Sequence, residues 1–139
     1  LAFELVVVTP EGEAFSGQVE QVVLPGVSGE FGVLESHERF LTPLVLGPMH
    51  IFREAGSGGG SEWAAITGGF AEVDGSRVVV LVDSCALASD IDPDAVRARH
   101  AEASDALASL PGSDETAGER ERLSTMIARS ELELDVAGR

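Results

Sequence analysis

Three kinds of residue in this chain have the types and spacing to do chemistry: one cysteine, three histidines set among many carboxylates, and three glycine-rich stretches. Cys85 follows Asp83 and Ser84, and a nucleophilic thiol there would need a base, with His37 the candidate, and a lowered pKa. Between Val82 and Leu87, at a strand position, it reads instead as a small buried hydrophobe. His37, His50 and His100 fall on a strand edge, a strand and a helix, with no recurring metal-ligand spacing. His100 reads as a packed residue of its helix's apolar face. Glu35 and Glu38 are a pair suited to general acid–base work, but among 24 acids they read as a solvated charged loop. Gly26-x-x-Gly29-x-x-Gly32, Gly56–Gly60 and Gly68-Gly69 imitate phosphate-binding loops. None is followed by a helix and the chain has no Lys, so all three read as β-turns. The residues that could act singly therefore assemble no active site and point to an interaction module.

Composition narrows the partners. The 139 residues suit one ordinary domain, or a smaller domain with an appendage. A net charge of −15, with all nine basic residues Arg, excludes nucleic acid, whose phosphates need cations to displace their counterions. Anionic lipid is excluded for the same reason. No apolar run approaches the roughly 20 residues that cross a bilayer as a helix, so membrane association is expected only through partners. Residues 1–8 read as a strand rather than a signal peptide. A single cysteine rules out an internal disulfide framework and a Cys-based zinc site, and fits an intracellular or organellar setting.

The elements follow from periodicity and turn residues. Strands are expected at 3–8, 17–24, 31–34, 43–46, 48–54, 62–67, 70–73, 77–82 and 85–87. The turns between them are expected at Pro25-Gly26 (with Gly29), Gly47-Pro48, Gly56–Gly60, Gly68-Gly69 and Asp74-Gly75, the last being the strongest hairpin signal. The glycines of 56–60 read as too numerous to hold one conformation. The pattern then changes. Asp92 is placed to cap a helix opening at Pro93, on which Val96, His100, Ala103, Leu107 and Leu110 share a face. Pro111-Gly112-Ser113 stops it. A second helix begins near Asp114 or Thr116, with Leu123, Ile127, Ser130 and Leu134 on one side. The fold class is α+β with the β part first: a closed or sandwiched all-β domain over residues 1–88, then an antiparallel two-helix hairpin over 89–139. The helices have an Ala-rich, narrow apolar seam, so they are expected to be the labile part.

The stretch V-V-L-P-G-V-S-G-E-F-G-V-L-x-x-H-x-x-x-L-T, from Val22 to Thr42, resembles the signature of the epsilon subunit of F-type ATP synthases, called delta in mitochondria. Leu5–Glu11, Phe15-Ser16-Gly17, Gly68–Val73, Val78–Val82 and Ser89–Asp92 resemble successive segments of the same family in the same order, while 105–139 match least. The resemblance implies a β-sandwich of about ten strands followed by a two-helix hairpin. It implies a non-catalytic place in the central rotor, bound to the gamma subunit and seated on the ring of membrane c subunits. Rotation of that ring couples ion flow to ATP synthesis in the alpha and beta subunits. In many bacterial members the hairpin also blocks ATP hydrolysis. Implied localisation is peripheral, on the cytoplasmic face of a bacterial plasma membrane, with the mitochondrial inner membrane or plastid thylakoid as the alternative.

The same resemblance assigns residues. Glu30 and His37 match positions facing the polar loops of the c ring, and Glu38 and Arg39 extend that contact. Here the chain departs from the family, reading Ser36-His37-Glu38-Arg39 where relatives carry G-H-A-P or N-H-A-P. Many bacterial members bind regulatory ATP through I/L-D-x-x-R-A. Without a gap Ile91-Asp92 lacks the Arg, and shifted by two the match regains Asp94, Arg97 and Ala98 but loses the aliphatic residue. Asp94 and Arg97 are the candidate nucleotide residues, with no cofactor otherwise implied. Arg120, Arg122 and Arg129 are the candidates for acidic loops on the beta subunit. Two rival readings remain: a free-standing β-sandwich that binds another partner through Glu35–Arg39, and a small enzyme using Cys85 or the histidines and acids.

Overall fold

The computed structural model describes residues 2–35 and 39–139. Nine strands occupy the first part: β1 Phe3–Thr9, β2 Gly12–Gly26, β3 Gly29–Leu34, β4 Phe40–Leu44, β5 Gly47–Arg53, β6 Ser61–Ile66, β7 Gly69–Val73, β8 Arg77–Val82 and β9 Cys85–Leu87. Two helices follow, α1 Pro93–Ser109 and α2 Ala117–Ala137.

Strand β2 belongs to two layers. Its first half pairs antiparallel with β1, from Thr9↔Gly12 to Phe3↔Val19. Its second half pairs with β5, from Val19↔Arg53 to Val23↔His50, and with β3 along Gln21–Gly26. A register irregularity between Val19 and Gln21 marks the change of partner, as bulges do where a strand bends between sheets. One layer then runs β2-β1-β8-β7-β4, with β1 and β8 parallel, and the other runs β3-β2-β5-β6-β9. Leu5, Val7, Val19, Val22, Leu24, Met49, Ile51, Ile66 and Val80 are fully enclosed between them. Period-2 alternation of apolar side chains on both layers is what closes this core.

Three sequence expectations need correction. Pro25 and Gly26 are not the turn; both lie in β2, and the chain reverses at Val27-Ser28 before Gly29. The strand expected at 43–46 is β4 at 40–44, because it zips along β7 from Phe40↔Val73 to Leu44↔Gly69. The glycine run 56–60 follows a defined path: a 3₁₀ turn at Ala55–Ser57 leads into Gly58, Gly59 and Gly60, all at positive φ. Only glycine takes three such steps without steric cost, and Arg53 N–H closes the loop on Gly60 O at 2.9 Å.

The helical part opens as expected. The Asp92 carboxylate accepts from the N–H groups of Asp94 and Ala95, with Pro93 in the first turn, so the cap satisfies otherwise orphaned donors. The second helix departs from its expected face. Leu123 and Ser130 are buried, but Ile127 and Leu134 are half-buried, and Glu133 and Val136 are buried in their place. The reason is that α2 has two neighbours, α1 along one side and β5–β6 along another, which turns a different set of residues inward.

Gly69 sits where β7 is flanked by both β4 and β8. A Cβ there would lie 1.9 Å from the Leu81 carbonyl oxygen, a backbone atom. Gly69→Ala is therefore expected to cost about 3 kcal/mol, at the upper end of overpacking effects, seen as a lowered thermal midpoint; an unchanged midpoint would show that the two strands can part without loss.

Candidate functional site

The outer face of β1-β8-β7-β4 is apolar where a solvated sheet face would be polar. Cross-strand register places Val8, Leu81, Phe70 and Pro43 in one row, and Val6, Val79, Glu72 and Leu41 in the next. Leu41 is 65% exposed, Phe70 51% and Leu81 46%. An open groove of about 510 Å³ runs beside them, lined by Val8, Pro10, Phe70 and Leu81 among others. Sequence alternation put Phe70 and Leu81 in strands, but which face each strand turned to solvent depended on pairing. An apolar surface of this kind, interrupted by Glu72 and bordered by Glu4 and Arg77, is the composition of a protein-docking face.

At one end of the sandwich the Val27-Ser28 turn carries Glu30 on β3, exposed and directly opposite Pro25. Val27 beside it is 63% exposed. His37 and Glu38 lie outside the described residues; Arg39, immediately before β4, is exposed.

The helix residues are placed separately. Asp94 and Arg97 pair with each other at 2.9 Å on the exposed first turn of α1. Arg120 donates to the Pro111 carbonyl at 2.7 Å and to the Thr116 hydroxyl at 2.9 Å, and so ties α2 to the inter-helix turn. Arg122 is held by Glu119, bidentate, and this pairing lowers the Glu119 pKa and raises that of Arg122. Arg129 reaches Glu133 at 3.8 Å. At 3.6 residues per turn, Arg122 and Arg129 share a face and Arg120 points away from it. Arg99 of α1 joins the same pair: it lines the clefts between the helices with Arg122 and with Arg129, and stands 3.8 Å from the buried Glu133. Sequence reasoning missed Arg99, whose only signal is its spacing three residues beyond Val96 on the seam side of α1. His100 borders the seam, 3.5 Å from Glu131.

The candidate nucleophile is not poised. Burial, with the Glu62 carboxylate nearby, raises the Cys85 thiol to about 11, so almost none of it is thiolate near neutrality. It borders a polar cleft of about 360 Å³ with Glu11, Glu13, Asp83 and Arg129, and no histidine among the described residues lines that cleft. Among the described residues no three His, Cys, Asp or Glu side chains gather as a metal site, and no helix is long and apolar enough to cross a membrane.

Two side-chain connections between the helices and the sandwich start on β6. Glu62 accepts from the Ser89 hydroxyl at 2.7 Å and from Arg53, pinning the linker that leads to α1. These bonds outweigh burial and keep its carboxyl below the usual range. Trp63 stacks on His50 with ring centroids 3.7 Å apart and planes nearly parallel, and carries the Arg139 guanidinium 4.3 Å from its centroid.

Comparison with known proteins agrees with this geometry. Residues 2–88 match the family model for the ATP synthase delta/epsilon chain β-sandwich domain. The ATP synthase epsilon chain of Anaeromyxobacter sp. (strain K) is 37% identical over 139 residues, covering all of both chains. That of Chromohalobacter salexigens is 40% identical over 102 residues, 73% of this chain and 70% of the relative. In fold, the chain is similar to one from the OSCP/F1/c-ring structure of Euglena gracilis mitochondrial ATP synthase, with TM-score 0.75, 21% identity, and coverage of 99% of this chain and 82% of that one. It is also similar to one from the central stalk/c-ring of the Tetrahymena thermophila enzyme, with TM-score 0.55, 15% identity, and coverage of 97% and 96%. A closed β-sandwich that matches the family model, a helix pair after it and full-length similarity to ATP synthase epsilon chains lead to one conclusion: this chain belongs to the ATP synthase delta/epsilon family.

Proposed function

We propose that this chain is a non-catalytic subunit of the rotor, joining the gamma subunit to the c ring so that ion flow through the membrane is transmitted to ATP synthesis. The observation that carries this reading is the exposed apolar face of Val8, Leu41, Pro43, Phe70 and Leu81. A solvated monomer has no use for it, and a shaft-like partner would cover it. Glu30, together with His37, Glu38 and Arg39, meets the polar loops of the c ring. A carboxylate at the tip of a short hairpin suits arginine-bearing loops electrostatically. The chain then reaches the membrane only through that ring, on the side where the catalytic head sits.

Two units divide the work in this reading, the sandwich of residues 1–88 and the hairpin of 89–139. The hairpin restrains ATP hydrolysis by reaching the alpha and beta subunits, with Arg122 and Arg129 the residues turned together toward acidic loops, and Arg120 occupied at the inter-helix turn. Its Ala-rich seam and surface ion pairs hold it loosely, since exposed pairs contribute little.

Phe70→Glu combined with Leu81→Glu should leave the thermal midpoint of the isolated chain within a few degrees, because both side chains are already in water. Co-purification with gamma should fall at least about tenfold, as expected for charges placed in an interface core. Undiminished association would move the docking face elsewhere. Truncation after Ser89 should raise ATP hydrolysis of the assembled complex while assembly persists; unchanged hydrolysis would remove the inhibitory role. Against the enzyme reading, Cys85 in the folded chain should alkylate about a hundredfold more slowly than a free thiol near neutral pH, from its two-unit rise. Alkylation at the rate of a small thiol would restore it as a candidate nucleophile.

A further inference from the structure

The His50–Trp63–Arg139 stack has a property that its place in the fold does not require. His50 and Trp63 are directly opposed across β5 and β6, on the outer face that receives α2, and their rings lie 13° from parallel. Phe52, two residues along β5, has its ring 4.1 Å from the imidazole. The imidazole Nε2 is buried and makes no hydrogen bond. A neutral ring tolerates that position. A protonated one would carry a charge and a donor into an apolar stack with no acceptor.

The charges around it are unfavourable to a cation as well. From α2 the facing group is the Arg139 guanidinium, itself bonded to Asp135 at 3.0 and 3.3 Å, so that carboxylate is already engaged. From β2 the same-face neighbours are Val23 and Gln21. From β6 it is Trp63, while Glu62 turns to the other face and serves Ser89 and Arg53. Phe52 is its neighbour on β5. Among the described residues that face it, no side-chain carboxylate pairs with His50. Burial first, and the Arg139 charge second, lower the His50 pKa from 6.5.

We propose that this stack is a proton-operated clasp, holding the C-terminal turn of α2 on the sheet while His50 is neutral and releasing it when His50 is protonated. The linker end of the helix pair stays pinned through Glu62 and Ser89, so only the terminal end lets go. Because the docked state lowers the imidazole's pKa, docking is at full strength above the ordinary histidine value. It weakens as pH falls below 6.5 and the released state takes up the proton. Each unit of depression removes about tenfold from the ratio of docked to released chains. The clasp is a property of the isolated chain and stands whether or not the helices restrain hydrolysis.

Trp63 is the chain's only tryptophan, so its emission maximum reports the clasp directly. In the full chain, lowering the pH from about 8 to about 5.5, across the histidine range, should shift that maximum to longer wavelength. Amide protection at Val136 and Ala137, corrected for intrinsic exchange, should fall about tenfold per unit of depression. His50→Phe keeps an aromatic partner without a titrating group and should abolish both changes, as should His50→Gln, which serves if the first variant does not fold. Arg139→Leu should raise the His50 titration midpoint followed by NMR. An emission maximum and corrected protection that stay constant in the wild-type chain, or that shift equally in the His50 variants, would overturn the proposal.

Discussion

Strand β2 must serve two layers at once, and the rest of the molecule depends on how it does so. Fifteen residues long, it leaves β1 at Val19 and takes up β5 and β3 within two residues. Val19, Val22 and Leu24 remain fully enclosed on either side of that bend. A strand shared in this way closes the sandwich along one side without a separate connection, and each layer fixes the angle of the other. It also sets the outer surfaces. With the inward residues committed to the core, Phe70, Leu81 and Leu41 have nowhere to point but out, and the Val27-Ser28 turn is carried at the tip of a strand that cannot tilt freely.

The helices depend on the sandwich more than the sandwich depends on them. Their shared seam buries Val96, Ala103 and Leu123, a small apolar area against the cost of ordering two helices. What holds them is β6, an inner strand paired with β5 on one side and only briefly with β9 on the other. Successive residues of a strand face opposite ways, so Glu62 and Trp63 grip two different ends of the helical pair from one short segment. A rigid platform with a lightly held appendage is a sound physical basis for a part that stays fixed in an assembly while another changes its contacts.

Much of this was legible beforehand. The β-then-α order, the Asp74-Gly75 hairpin, the Asp92 cap with Pro93 and the stop at Pro111 all rest on local rules, and local rules act through neighbours in sequence. Cys85, expected as a small buried residue, is partly buried, with its thiol raised to about 11. The turn at Val27-Ser28 was misplaced because Pro25 and Gly26 carry turn propensity, yet ladder pairing with Gly29 and Glu30 overrides it. The inward face of α2 was misread because a helix with two neighbours has no single apolar stripe. Of the site, Glu30 is exposed on β3 beside the hairpin turn, while the apolar face was invisible in the sequence, since no motif marks a row formed by four separate strands.

The sequence by itself determined the element types, their order and the family, because each is written in short-range spacing and in motifs contiguous along the chain. Only the tertiary structure decided which strand faces meet water, which side of α2 turns inward, and that His50, Trp63 and Arg139 form one stack. Those three residues are separated by up to 89 positions. No local preference can record a contact that exists only after β5 has paired with β6 and α2 has folded back across them.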